Sequence, residues 1–229
     1  MRCFFFILTV LSYSLLRGQT LESYTIKPDN NILDIIPFKA AFLYPAFTNG
    51  IVSFRDGRSI AGNLNYNLLI RAIQFIDGKG DTLALADENT IKQISITKDT
   101  FYYNDGYVKQ IGNWISVKVA ERDYFKEFVQ KPGSYGMSSA ATAANSINSV
   151  VVRGSTYRLN TDREMVMVKA KQYFIGNKYN EFVGADKKNL LKLFPKQKKD
   201  ISDYLDKNVV DFTKSEDLTR LATFLHSLL

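Results

Sequence analysis

Acidic residues at predicted turns are the side chains of this chain best placed for acid–base chemistry. They follow short apolar segments and are Asp77, Asp81, Asp87, Glu88 and Asp105. Two carboxylates about 5 to 10 Å apart are the arrangement that glycoside hydrolases use. Turns also favour Asp for conformational reasons, whatever the function of the protein. A hydrolase acting on glycan or peptidoglycan is therefore an alternative that these residues leave open, and turn formation is their simpler explanation.

Other catalytic and metal-binding arrangements lack the side chains that they require. A Ser-His-Asp or Cys-His centre needs an imidazole to accept the proton of the nucleophile, and the sequence has one histidine, His226, and one cysteine, Cys3. Zinc sites need several such ligands. The turn at residues 77–81 (DGKGD) lacks the alternating ligands of a calcium loop, and there is no phosphate-binding glycine motif. We therefore expect no cofactor and no metal, and we favour a non-catalytic protein.

A group of lysines near the C-terminus is the most distinctive charge pattern. It has no acidic residue between its first and last members, and it consists of Lys187, Lys188, Lys192, Lys196, Lys198 and Lys199. Such a cluster could bind phosphate-rich lipid headgroups or an acidic partner. The solvated face of an amphipathic helix pair would give the same pattern. Nucleic acid is a poor candidate because aromatic residues do not alternate with these lysines.

Three tyrosines around the predicted turn at residues 104–106 (NDG) are a second candidate for binding. Tyr102, Tyr103 and Tyr107 could present an exposed aromatic contact patch. Aromatic strand residues usually pack against their cross-strand neighbours instead. The sequence leaves both interpretations open.

The N-terminus has the features of a secretory signal peptide at residues 1–18. Arg2 supplies a positive charge, residues 3–16 (CFFFILTVLSYSLL) are apolar, and Gly18 offers a small residue for cleavage. The apolar run is shorter than the ~20 residues that span a bilayer, so we expect no transmembrane span in the mature chain. Cys3 lies at the start of this run and not after it, which argues against a lipid anchor, and as the one cysteine of the sequence it predicts no disulfide. The formal net charge of +7 falls to +5 without Arg2 and Arg17, which mildly favours anionic surfaces.

Short strands joined by glycine-containing turns are predicted for residues 50–122. Segment 50–54 (GIVSF) returns through an Asp-Gly turn, which is a strong hairpin signal. In the return strand the apolar residues that should face the core are Ile60, Leu64, Tyr66 and Leu68. The alternating polar residues that should face water are Asn63, Asn65 and Asn67. In the last strand the residues expected on one face are Ile115, Val117 and Val119. Turns every 8 to 12 residues or so are typical of an antiparallel β-meander, as a curled sheet or a small barrel.

The remaining regions complete an α+β chain. Residues 19–49 contain prolines that predict an extended lead-in. Residues 50–183 form a β-rich domain, interrupted at 132–152 by a low-complexity segment with no charged residue, which we expect to be a flexible loop, a short alanine helix or a lid over a ligand. Residues 184–229 predict a cap of two or three helices. Pro195 separates the first two helices, and a capping box at Thr213 and Glu216 would open the last.

Two stretches resemble an uncharacterised group of exported proteins from Gram-negative bacteria. They are residues 43–87 (LYPAFTNGIVSFRDGRSIAGNLNYNLLIRAIQFIDGKGDTLALAD) and residues 187–208 (KKNLLKLFPKQKKDISDYLDKN) with the leucine-rich helix that follows. The resemblance implies a location in the periplasm, at the outer membrane or outside the cell, and it assigns no catalytic residue. The leading hypothesis is a binding or scaffolding module that holds an envelope protein or an anionic envelope surface. A carrier of an apolar ligand in a β-cup is a further alternative to the hydrolase.

Overall fold

The computed structural model describes residues 22–28, 30–131, 139–142 and 164–229. The predicted signal peptide at 1–18 lies outside the described residues. The strands are β1 (Ser23–Ile26), β2 (Thr48–Phe54), β3 (Ser59–Asn67), β4 (Ala72–Ile76), β5 (Thr82–Ala84), β6 (Ile91–Ile96), β7 (Asp99–Tyr103), β8 (Tyr107–Asn113), β9 (Val117–Lys131), β10 (Ser139–Thr142), β11 (Met165–Asn177) and β12 (Phe182–Gly184). The helices are α1 (Ile32–Ile35), α2 (Phe38–Ala41), α3 (Lys187–Leu193), α4 (Lys198–Lys207) and α5 (Ser215–Leu228). This mostly antiparallel sheet with C-terminal helices confirms the α+β prediction.

The sheet consists of two meanders side by side. Its strand order is β1-β11-β9-β8-β7-β6-β2-β3-β4-β5. Strands β2 to β5 form one meander and β6 to β9 the other, and they join because β6 pairs with β2, with Gly50 opposite Ile96. The chain therefore returns from the edge strand β5 to the middle of the sheet. Turn spacing predicted the strands but not this return, because spacing along the chain does not define which strands pair.

The two longest strands, β9 and β11, pair with each other to form a long antiparallel ribbon. Their register runs from Met165 opposite Val129 to Asn177 opposite Val117. Residues 139–142 of the low-complexity segment form β10 against β9, although the sequence predicted a loop, helix or lid there. The other residues of 132–152 lie outside the described part of the chain. Backbone pairing needs no particular side chains, so a Ser/Ala segment can extend an edge.

One apolar core draws residues from both ends of the strand order, including Ile26 of β1 and Ile73 of β4. The turn between β3 and β4 also bonds to strands that are distant in that order. The N–H of Tyr107 in β8 donates to the Arg71 carbonyl at 3.2 Å, and the N–H of Phe125 in β9 donates to the Leu68 carbonyl at 3.4 Å. The sheet therefore curves around this core.

Two glycines that lie opposite each other differ in the space around them. Gly50 of β2 pairs with Gly62 of β3. A Cβ at Gly50 would lie 2.7 Å from the Ser95 carbonyl oxygen and 2.7 Å from the Leu64 side chain. A Cβ at Gly62 would have its nearest neighbour, Leu64, at 3.9 Å. The backbone of β6 thus approaches β2 so closely that only glycine fits at position 50.

The substitution G50A is expected to lower the free energy of unfolding by about 1 to 3 kcal/mol, because the added methyl group overpacks the sheet. The matched control G62A should change it by less than about 1 kcal/mol. Urea unfolding of both variants measures the difference. Equal effects would contradict the close approach of β6 to Gly50.

Two single-turn helices, α1 and α2, occur where the sequence predicted an extended lead-in. Pro37 is the N-cap residue of α2, with a φ of −65°. Proline at a helix start removes no intrahelical hydrogen bond. Pro37 therefore marks the start of α2 and does not prevent the helix from forming. Ile32 and Ile36 are buried in the main core. The lead-in is therefore part of the folded unit.

Two of the three asparagines predicted to face water are buried. Asn63 is exposed, whereas Asn65 and Asn67 have 0% and 2% of their surface exposed. The Asn65 side chain accepts a hydrogen bond from the Tyr44 N–H (3.1 Å) and donates to the carbonyls of Tyr44 (2.9 Å) and Ala46 (3.2 Å). The Asn65 side chain thus supplies the lead-in backbone with hydrogen-bond partners that the backbone of β3 does not supply. In this way it holds the lead-in against the sheet.

The C-terminal helices pack on one end of the β9–β11 ribbon. Val117, Val119 and Ile175 are buried there against Leu190, Phe194, Ile201, Leu218, Leu221, Ala222 and Leu225. Pro195 begins a 3₁₀ turn between α3 and α4, as predicted. The predicted capping box is wrong. Lys214 is the N-cap of α5 and makes no side-chain cap, and the Thr213 hydroxyl donates to Asp211 at 2.6 Å.

Candidate functional site

The candidate acids fall into two groups, with Asp77 and Asp81 at one end of β4 and Asp105 at the other, where burial and the charges of Glu88 and Asp105 raise the pKa of the Tyr103 phenol. Asp77 and Asp81 share the turn between β4 and β5, where the Asp77 carboxylate accepts two backbone N–H groups at 2.8 and 2.9 Å. Asp105 lies in the turn between β7 and β8, where a Cβ at Gly106 would lie 3.2 Å from Arg71. Arg71 precedes β4, whose five residues span roughly 16 Å. The length of β4 therefore separates Asp105 from the other turn by more than a hydrolase pair allows.

Asp87 also serves a turn. Its φ of 53° is in the left-handed region, which Asp tolerates better than most residues. Its carbonyl accepts hydrogen bonds from the N–H and the hydroxyl of Thr90 at 2.8 and 2.7 Å. Glu88 follows in a 3₁₀ turn, Glu88–Thr90. Turn formation thus accounts for the positions of Asp77 and Asp87.

The three tyrosines do not form a shared exposed patch. Tyr102 is buried with Phe182 at a ring distance of 5.3 Å. Tyr107 is 2% exposed in the main core, on the opposite face of the sheet, and Tyr103 packs edge-on against it at 5.5 Å. The predicted contact patch is therefore wrong, and the cross-strand interpretation holds. Successive strand residues point to opposite faces, which separates Tyr102 from Tyr103.

Large side chains occupy the interior in which a carrier would hold its ligand. Tyr66, Phe101, Tyr107 and Phe125 are buried there. Burial raises the pKa of the Tyr107 phenol well above its usual value, and its oxygen has no hydrogen-bond partner among the residues that the structure describes. The phenol is therefore neutral and acts as an apolar packing group.

A charged cluster separates the main core from the core under the helices. The Glu121 carboxylate lies 3.0 Å from Lys109 and 2.6 Å from Lys171, and Lys171 also lies 3.4 Å from Asp123. Burial acts to raise the pKa of Glu121, but the hydrogen bonds and positive charges of both lysines hold it below its ordinary value. Burial likewise acts to lower the pKa of Lys171, and its two carboxylate partners raise it overall. The cluster is internally neutralised, so its role is structural.

The six lysines lie on α3, on α4 and on the Pro195 turn that joins them, and all six are exposed. Lys187 lies 3.3 Å from Asp206. Among the described residues, none of the other five is within ion-pair distance of a carboxylate. The two helices and the turn between them therefore carry five exposed lysines without an ion-pair partner in the described part of the chain.

A cleft of about 250 Å³ adjoins this lysine cluster. Leu193 and Pro195 contribute its apolar wall, and Tyr179 faces them from the turn between β11 and β12. Lys178 and Lys196 also line this cleft. The Lys178 ammonium also lies 5.1 Å from the centre of the Tyr179 ring. Cationic and apolar groups are thus side by side at this end of the molecule.

Three apolar side chains are exposed in the structure although the sequence did not predict their exposure. Ile115 was predicted to face inward with Val117, but it lies in the turn before β9 and is 85% exposed. Tyr179 is 69% exposed in the turn after β11. Ile60, also predicted inward, is 56% exposed near the β2–β3 turn. Ile115 could have been recognised as an apolar residue in a turn. The alternating residues that follow it in the chain instead made it look like part of the strand.

Metal binding and membrane spanning can be judged for the described residues only. No group of three or more His, Cys, Asp and Glu side chains within them could hold a metal ion. His226 is partly buried in α5, and within the described ranges its Nδ1 has no hydrogen-bond partner. In the same part of the chain, no helix combines the length and the apolar character needed to cross a membrane.

The fold and the site define a mostly antiparallel sheet protein with a C-terminal helical cap, which carries an exposed lysine cluster beside a cleft. No protein-family model, curated protein or solved structure matches this chain.

Proposed function

We propose that this protein is a non-catalytic, exported envelope component that binds an anionic partner through its lysine cluster. One observation carries the proposal: five of the six lysines at positions 187–199 are exposed without an ion-pair partner among the described residues. Their charges act over a distance of about 10 Å at moderate salt. The cluster therefore attracts anionic groups at a defined part of the surface.

The proposed export rests on the N-terminal sequence. An arginine, an apolar run and a small residue succeed one another at positions 1–18, as in secretory signal peptides. The periplasm, the outer membrane and the cell exterior are all consistent with such a signal. Anionic lipids and acidic proteins both occur in these places, and the lysine cluster suits either of them.

Reversing the charge of Lys196, Lys198 and Lys199 to glutamate together is expected to abolish the capture of a partner by cross-linking in intact cells. The matched control reverses three exposed lysines on the sheet and its turns, Lys79, Lys92 and Lys98, and should preserve capture. Both variants change the net charge equally, so the comparison isolates the position of the charge. Capture that survives in the first variant would remove the lysine cluster from the function.

A further inference from the structure

The end of the molecule that carries the cleft also carries a rigid apolar tip, which we define as Ile115 and Tyr179. The register of the ribbon places Val117 opposite Asn177, so the turn before β9 and the turn after β11 lie side by side. Ser116 and Tyr179 both line the cleft. The exposed apolar residues of these turns, Ile115 and Tyr179, therefore lie at the same end of the ribbon, although 63 positions separate Tyr179 from Ser116 in the sequence.

Hydrogen bonds hold both turns in place. Trp114 and Val117 bond reciprocally, with N–H to carbonyl distances of 2.8 and 3.3 Å. The Asn177 side chain accepts from the N–H groups of Tyr179 (2.9 Å) and Glu181 (3.2 Å) and donates to the Glu181 carboxylate at 2.6 Å. These hydrogen bonds fix the conformation of both turns and keep the tip from folding back onto the protein surface. Its exposure is thus built into the fold.

Lysines surround the tip. Lys178 precedes Tyr179 in the chain, and Lys196 lines the same cleft. Lys198 and Lys199 follow in the first turn of α4. Long lysine side chains can extend from an apolar surface to reach phosphate groups. The arrangement provides both an apolar insertion and a basic patch, the two signals that stable membrane association requires.

We propose that this end of the protein docks on a bilayer that contains anionic phospholipid, with Ile115 and Tyr179 in the interfacial region and the lysines on headgroup phosphates. The composition favours a bilayer over a protein surface. Lysine is depleted in protein–protein interfaces, whereas aromatic residues with lysines are typical of the membrane interface. This inference rests on the proposed function and identifies its anionic partner.

The test uses the protein recovered from the envelope of expressing cells and vesicles of phosphatidylcholine with and without phosphatidylglycerol. Co-sedimentation should be strong only with phosphatidylglycerol and should weaken with salt. Each lysine near an anionic surface contributes about fivefold in affinity, so replacing Lys196, Lys198 and Lys199 by alanine should weaken binding roughly a hundredfold. The variants I115E and Y179E should each weaken it about tenfold or more.

Val209 supplies a matched control for the tip. It is 94% exposed and lies in the loop before α5. The other end of that helix is followed by Leu229, which lines the cleft, and its 14 residues span roughly 21 Å. The variant V209E places the same charge away from the tip and should leave vesicle binding unchanged. Thermal unfolding of each variant verifies that the fold is retained, since exposed substitutions usually change stability by less than about 0.5 kcal/mol.

The single tryptophan of the chain, Trp114, precedes Ile115 and reports insertion directly. Brominated phosphatidylglycerol should quench its fluorescence in the wild type and not in I115E. Binding that requires the lysines but is unchanged in both tip variants would overturn tip insertion. A wild type that ignores vesicles but captures a protein through the lysines would overturn membrane docking and leave the proposed function intact. Loss of lysine dependence in both assays would overturn both proposals.

Discussion

On replacement of Glu121 by alanine, we expect the free energy of unfolding to fall by about 3 to 5 kcal/mol. The Glu121 side chain is 10% exposed and forms ion pairs with Lys109 and Lys171. Its removal leaves Lys109, which is 21% exposed, without an ion pair in the described part of the chain. Lys171 retains Asp123 at 3.4 Å, which limits the loss. A charge left alone in a desolvated place is costly because water cannot replace its partner.

The control for Glu121 is an exposed ion pair of similar geometry. Lys187 and Asp206 are 51% and 70% exposed at a separation of 3.3 Å, so D206A should cost less than about 1 kcal/mol. Urea unfolding, followed by circular dichroism, gives both values. Similar costs for E121A and D206A would contradict the structural role of the charged cluster.

The same carboxylate should make stability dependent on pH. Its pKa is below the ordinary value of 4.5 in the folded protein, so the unfolded chain takes up the proton more readily. The stabilisation is therefore complete above about pH 4.5 and is lost as the pH falls through the folded pKa. The variant E121Q lacks this titration. Wild-type stability should decrease more steeply than that of E121Q below about pH 4.5, and parallel curves would contradict the assignment.

For N65A we expect a loss of about 2 to 4 kcal/mol in the free energy of unfolding. The substitution leaves three backbone groups of the lead-in without their partner, namely the N–H and carbonyl of Tyr44 and the carbonyl of Ala46. Each polar group that loses its partner in a buried position costs about 1 to 3 kcal/mol, and the partial exposure of this segment moderates the sum. The lead-in should detach from β3 before the sheet unfolds.

Asn63 is the matched control for this prediction. It lies in the same strand, two residues earlier, and it is exposed. The substitution N63A should change stability by less than about 0.5 kcal/mol. Hydrogen exchange of the lead-in amides, measured with urea unfolding, tests both variants. Equal protection in N65A and N63A would show that Asn65 does not hold the lead-in.

The strands were largely predictable, and their partners were not. Alternation identified the hairpin of β2 and β3 and the inward residues Leu64 and Tyr66, which are buried. The same alternation placed Asn65 in water, because periodicity separates two faces but does not reveal that the lead-in covers the second one. Likewise, the prolines of the lead-in predict an extended segment, whereas Pro37 is the N-cap of a helix.

The candidate site divides in the same way. The lysines at 187–199 were evident from the sequence, and the helical period of that segment indicated that they would be exposed. The tip was not predicted because the turns that carry Ile115 and Tyr179 are distant in the chain and lie side by side only through the register of β9 with β11. The tyrosines failed as a patch for a different reason, since neighbours along β7 point to opposite faces of the sheet, with Tyr102 on one face and Tyr103 packed against the main core on the other.

The sequence by itself determined the alternation of the strands, the positions of the turns, the division of the helices at Pro195 and the concentration of positive charge. These features depend on residues a few positions apart, whose steric and hydration preferences act locally. Only the tertiary structure decided that β6 pairs with β2, that Asn65 is buried and that the turns carrying Ile115 and Tyr179 lie side by side. Each of these depends on contacts between distant segments, and such contacts form only when the whole sheet curves around its core.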